Sequence, residues 1–155
     1  MSSHHFKQRP PRLDRLFQQY DFPVWFVTFN TANRVPWLPC SDVHQAFMTF
    51  ALRAYEEHSI AVGRYVLMPD HVHLFVSGHN IKLGHWIGML KQSLAKAGNI
   101  QGKAWQEGFF DHLLRNSESY SQKWEYVRDN PIRAGFVENW SEWPWLGELI
   151  EIKME

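Results

Sequence analysis

Apolar positions along this chain change period several times, and each change marks an element. "VWFVTFNT" (24–31) is dense in β-branched and aromatic residues and predicts a strand. Ser41 and Asp42 can cap a helix, and Val43, Phe47, Phe50, Ala51 and Ala54 then recur on one helical face, so a helix is expected through about His58. "IAVGRYVLM" (60–68) and "HVHLFVSG" (71–78) read as two strands, antiparallel across a tight turn at Pro69 and Asp70. Trp86, Met89, Leu90 and Leu94 have helical spacing and predict a helix over Leu83–Ala97, stopped by Gly98 and Asn99. "KAWQEGFFDHLLR" (103–115) is expected to hold a short strand near its end. Ser117 is then expected to cap a third helix running toward Asn130, where Pro131 ends or kinks it. The order β-α-β-β-α-β predicts an α+β, ferredoxin-like antiparallel sheet with two helices on one face, followed by a further helix. An N-terminal arm is expected over 1–21, one domain over 22–135 and an acidic, tryptophan-rich tail over 136–155.

Composition narrows the class. At 155 residues, with 45% apolar and 15% aromatic residues, the chain is globular and long enough to bury a core without disulfides. Its single cysteine, Cys40, has no partner for an internal disulfide, which suits a reducing cytoplasm. No apolar run reaches the roughly 18 residues of a membrane span, and "MSSHHFKQRPPRLDR" lacks the apolar middle of a signal peptide. The expected location is therefore cytoplasmic, with no membrane partner. Net charge is zero, but residues 82–133 carry eight basic against five acidic side chains, and residues 136–155 one against five. This asymmetry permits one basic face on a neutral protein.

The candidate chemistry sits in "MPDHVHLFVSG" (68–78). Residues i and i+2 of a strand project to one face, so His71 and His73 point together, away from Val72 and Leu74. Two neutral imidazoles side by side can hold one divalent cation; the competing reading is a pair of hydrogen-bonded histidines on an exposed sheet face. "KWEYVRDNP" places Tyr126 and Asn130 four residues apart on a helix, hence on one face. Each also has an ordinary reading, Tyr126 as a core aromatic and Asn130 as a helix end before proline.

"YVLMPDHVHLFV" resembles the histidine-hydrophobe-histidine motif of single-tyrosine HUH transposases. "WEYVRDNPIRAGFVENWSEWPW" is similar to the C-terminal signature of one branch, the REP-associated tyrosine transposases, as is "KAWQEGFFDHLLRNSESY" before it. The similarity covers roughly residues 22–146. It implies that His71 and His73 are metal ligands, that Asn130 is the third polar ligand and that Tyr126 is the nucleophile. Tyr120 is the rival nucleophile, six residues away on a different helix face from Asn130. Single-tyrosine relatives outside this branch often carry glutamine where Asn130 stands, and a DNA enzyme is usually basic overall, which this chain is not.

What the resemblance implies is a metal-dependent endonuclease or transposase acting on single-stranded or hairpin DNA through a 5′-phosphotyrosine, with Mg2+ or Mn2+ as the metal. Monomer and homodimer both stay open. Lys91, Lys103, Trp105, Arg115 and Arg128, with Trp37, are candidate DNA contacts, and His112 a candidate proton acceptor. Two other classes remain. One is a domesticated nucleic-acid-binding protein. The other is a histidine-type nucleotide hydrolase, disfavoured because Phe75 stands where that motif needs a third histidine.

Overall fold

The computed structural model describes residues 16–18 and 23–154. In chain order the elements are β1 (Leu16–Gln18), β2 (Val24–Asn30), α1 (Ser41–His58), β3 (Ala61–Leu67), β4 (His71–Ser77), α2 (Leu83–Ala97), β5 (Phe110–Leu114), α3 (Ser117–Arg128), a short α4 (Asn130–Arg133), β6 (Leu146–Glu148) and β7 (Glu151–Lys153). The main sheet runs β5-β2-β4-β3-β6, every pairing antiparallel. Its first four strands carry the expected β-α-β-β-α-β order and make the ferredoxin-like α+β fold. β1 pairs with β7 in a separate two-stranded ribbon; the rest of the arm expected over 1–21 lies outside the described residues.

Helices α1 and α2 pack side by side on one face of the sheet. Val43, Phe47, Ala51 and Ala54 of α1 and Ile87, Leu90 and Leu94 of α2 are buried there, against Val27, Phe29, Tyr65, Leu67, Val72, Leu74 and Val76. One polar pair is sealed inside: His44 Nε2 and the Tyr65 hydroxyl lie 2.7 Å apart. Each satisfies the other, which removes the cost of an unpaired buried polar group.

Two boundaries differ from expectation for identifiable reasons. The cap of α3 is Asn116, whose Oδ1 accepts from the Ser119 amide at 2.8 Å; Ser117 is already the first helical residue. The acidic segment expected as a tail over 136–155 instead supplies β6, paired to β3, and buries Leu146, Leu149 and Ile150. Trp143 donates its indole N–H to the Leu67 carbonyl at 3.0 Å, fastening this segment beside the end of β3. At three residues this strand is too short to carry a hydrophobic period.

Helix α3 lies on the opposite face of the sheet from α1 and α2. Tyr120 and Trp124 rest on Phe75 with ring centroids at 4.8 and 6.3 Å, and the Arg64 guanidinium lies over both rings. A register shift between Val62 and Tyr65 brings Gly63 under Tyr120. A Cβ at Gly63 would overlap the Tyr120 hydroxyl, so the missing side chain is the seat of the helix. The same hydroxyl accepts from the Arg64 amide at 3.3 Å. Gly63→Ala should therefore cost about 1–3 kcal/mol by overpacking. Adding Tyr120→Phe, which removes the colliding oxygen, should restore part of that loss. Urea unfolding of the two single variants and the double variant measures both effects; full additivity would refute the seat.

Candidate metal and nucleophile site

β4 is paired on both sides, to β2 and to β3, so its side-chain alternation is fixed. Val72, Leu74 and Val76 fill the core, and His71 and His73 project to the α3 face. Each imidazole is held from behind by its Nδ1. His71 Nδ1 donates to Asp70 Oδ1 at 2.8 Å, and Asp70 Oδ2 accepts from Arg34 Nε at 2.9 Å. His73 Nδ1 lies 2.8 Å from the Thr28 hydroxyl on the neighbouring strand. The ring of His73 is also stacked on Phe26, with centroids 5.4 Å apart.

Asp70 is itself fixed by the loop after β2. The Thr31 amide donates to the Asp70 carbonyl at 2.9 Å, and Leu38 donates to the Pro69 carbonyl at 3.2 Å. Asn33 and Arg34 take left-handed backbone conformations at φ 54° and 55°, which turns this loop toward the β3–β4 corner.

With both Nδ1 atoms engaged, both Nε2 atoms are left for a third group. The Asn130 side-chain amide meets them, its nitrogen 3.0 Å from His73 Nε2 and 3.4 Å from His71 Nε2. An amide turned end for end offers oxygen at the same place, so the donor set for a cation is two imidazole nitrogens and one amide oxygen. Those types fit a divalent first-row metal, and the Nδ1 partners are the orienting contacts such ligands require. Among the described residues no three His, Cys, Asp or Glu side chains converge on one point. A cation here would thus depend on Asn130 and on oxygens from outside the chain.

Electrostatics favour the ligating form. Burial lowers the pKa of His73 to about 3, helped by His71 once that ring is protonated and by the positive charges of Arg133 and Lys123. Burial also lowers His71, against the opposing pull of the Asp70 carboxylate. Burial raises Asp70, but hydrogen bonds from Arg34 and His71 outweigh it and leave the carboxylate below its usual range. At neutral pH the site is two neutral imidazoles beside an ionised carboxylate.

The remaining sequence candidates separate. Tyr126 is 64% exposed, with the Arg133 guanidinium 3.9 Å over its ring. Tyr120 is buried, and burial raises its pKa, so it is a packing residue rather than an accessible phenol. Trp105 is buried too, its indole N–H donating to the Lys91 carbonyl and its ring set edge-on to Phe29 and Trp37. Lys91 is anchored on the carbonyls of Gln106 and Gly108 at 3.1 and 2.7 Å. Arg128 lies over Trp140 and beside Asp129. Lys103 lines a small cavity with Asn33 and Gln106, and Arg115 and His112 are exposed. Phe75 is buried beneath α3, so no third histidine completes a hydrolase triad.

Asp70, Thr28, Arg34, Lys123 and Arg133 join the site without being among the residues its motifs single out. Thr28 had a legible signal, a hydroxyl inside an aromatic strand; the others needed tertiary placement.

The lowered histidines carry a testable linkage. In the unfolded chain each titrates near 6.5, whereas in the folded protein His73 titrates near 3 and the buried His44 near 4. Between those values the unfolded state binds more protons, so stability falls as pH drops below about 6.5. Urea midpoints should hold near pH 8 and decline through pH 6 and 5. A midpoint unchanged from pH 7 to 5 would show that these rings are not held neutral.

Comparison with known proteins finds relatives of one kind. No family model matches the chain. An Escherichia coli protein, the REP-associated tyrosine transposase, is 27% identical over 126 residues, covering 78% of this chain and 73% of that protein. A Haemophilus influenzae protein assigned to the same group is 24% identical over 130 residues, covering 74% of each. A REP-associated tyrosine transposase solved bound to a REP hairpin superposes with a TM-score of 0.68 at 21% identity, over 86% of this chain and 82% of that one. The curated relatives match through most of their length, and the solved structure shares the fold: the chain is similar in sequence and in fold to the REP-associated tyrosine transposases.

Proposed function

We propose that this protein cleaves and rejoins single-stranded DNA at hairpin-forming repeat sequences, with Tyr126 as the nucleophile. The observation that carries the reading is the convergence of His71 Nε2, His73 Nε2 and the Asn130 amide, each ring braced on its far side. The relatives support it, since they are transposases and one was solved with a REP hairpin.

In this reading Tyr126 Oη attacks a backbone phosphorus. The bond from phosphorus to the neighbouring 3′-oxygen breaks, a 5′-phosphotyrosine forms and a 3′-hydroxyl leaves. The phosphodiester bond energy is kept, so the 3′-hydroxyl can later reverse the step without ATP. A divalent cation held by His71, His73 and Asn130 would polarise the scissile phosphate. Magnesium prefers all-oxygen shells, so two imidazoles suit manganese at least as well. The protein's own work is positional. Asp70 and Thr28 aim the imidazoles, Tyr120 in its Gly63 seat sets where α3 lies, and Arg133 holds the Tyr126 ring beside a positive charge. The exposure of Tyr126 leaves its oxygen accessible to a strand arriving from solvent.

Two measurements test this. Calorimetry with manganese should show one site, lost in His71→Ala and weakened about 10- to 100-fold in Asp70→Asn, which leaves the first shell intact. Undiminished binding in both would remove the metal from the site. Wild-type protein mixed with labelled hairpin DNA should give a covalent adduct on a denaturing gel. Tyr126→Phe should bind the hairpin but give no adduct, while Tyr120→Phe should keep it. An adduct that persists in Tyr126→Phe would overturn the assignment. Tight binding with no adduct in any version would make the chain a DNA-binding protein without this chemistry.

A further inference from the structure

Helix α3 covers only part of the sheet face that bears the histidines. It rests on Phe75 of β4 and on Gly63 and Arg64 of β3, and on edge strand β5 the same face leaves Phe110 and His112 exposed. Strand register says what is displayed there. Thr28 is the cross-strand partner of His73 on one side and of Phe110 on the other. Paired residues project to the same face, and the Thr28–His73 contact shows which face it is. Phe110 therefore stands in line with the metal-site histidine, one strand beyond Thr28 and roughly 10 Å from His73 by strand spacing.

Phe110 is 59% exposed, although its neighbour Phe109 turns inward and packs against the core. Lys123 of α3 sets its ammonium 5.1 Å over Phe26, which stacks on His73 and lies two positions along β2 from Thr28, the partner of Phe110. An exposed aromatic face, a cation beside it and a phosphate-handling centre at one end are the components of a single-strand path.

Resting on the function proposed above, we infer that Phe110 is the stacking platform for an unpaired base next to the scissile phosphate, with Lys123 beside the backbone. An aromatic face accepts any base, so Phe110 would hold the strand in place without reading its sequence. It would select for unpaired DNA, because a base inside a duplex has no free face to offer.

The test is made in the Tyr126→Phe background, so that binding is read without cleavage. The probes are a hairpin oligonucleotide with a four-nucleotide single-stranded 5′ extension, and the same hairpin with an abasic extension. The protein with Phe110 should bind the first about tenfold or more tightly than the second. Phe110→Ala should abolish that preference by weakening binding to the first probe alone, and Phe110→Trp should restore it. An unchanged preference in Phe110→Ala overturns the proposal, as does failure of every version to bind either probe. A changed oligomeric state in Phe110→Ala with unchanged DNA affinity also overturns it, assigning the exposed ring on this edge strand to a protein contact. Should the wild type form no covalent adduct while the Phe110-dependent preference persists, the nuclease reading falls and the platform stands.

Discussion

The arrangement depends on the register of one strand. β4 lies between β2 and β3, and on one of its faces Val72, Leu74 and Val76 are sealed beneath two helices. A slip of one residue would carry His71 and His73 into that apolar layer and bring the valines and leucine out. Burying two imidazoles without partners opposes the slip as strongly as losing the aliphatic contacts does. The same alternation that builds the core thus aims the histidines. It also puts Thr28 opposite His73, and the short β3–β4 corner puts Asp70 beside His71.

The second half of the site comes from a helix that is not part of the ferredoxin-like unit and must be located separately. Tyr120, Trp124, Val127 and Asn130 follow helical spacing along α3 and into the turn beyond it. The first two residues pack and the last meets the imidazoles. Asn130 reaches them because Tyr120 is lodged at Gly63, three turns back. A buried tyrosine that resembles a second nucleophile in sequence is, in space, the fulcrum of the helix that carries the first candidate.

The main elements were legible because their periods are long. The helix over Leu83–Ala97 and the strands around the Pro69 corner stand where apolar spacing puts them. The histidine pair was legible for the same reason, since strand alternation alone places both rings on one side. Legibility failed where side chains meet across distant sequence. Nothing in the chain near Lys91 or Trp105 announces that they bind each other and the following loop, and basic or aromatic character alone suggested nucleic-acid contacts. Arg133 and Lys123 carry no local pattern either. They matter because the turn at Pro131 and the tilt of α3 bring their charges near His73.

The last strand of the main sheet has a consequence for how the site comes into being. β6 pairs with β3, and the Ile152 side chain reaches Gly63, the seat of Tyr120. These contacts join residues eighty or more positions apart, and closing them is the slow kind of step in folding. The histidines, Thr28 and Asp70 all lie before residue 78, in a unit that α2 and β5 complete by residue 114. The helix that faces them rests on Phe75 and Gly63, and Ile152 closes beside that same seat. The two faces of the site are therefore ordered along the chain: the sheet bearing His71 and His73 is synthesised first, and the helix carrying Tyr126 is closed in by sequence that lies beyond it.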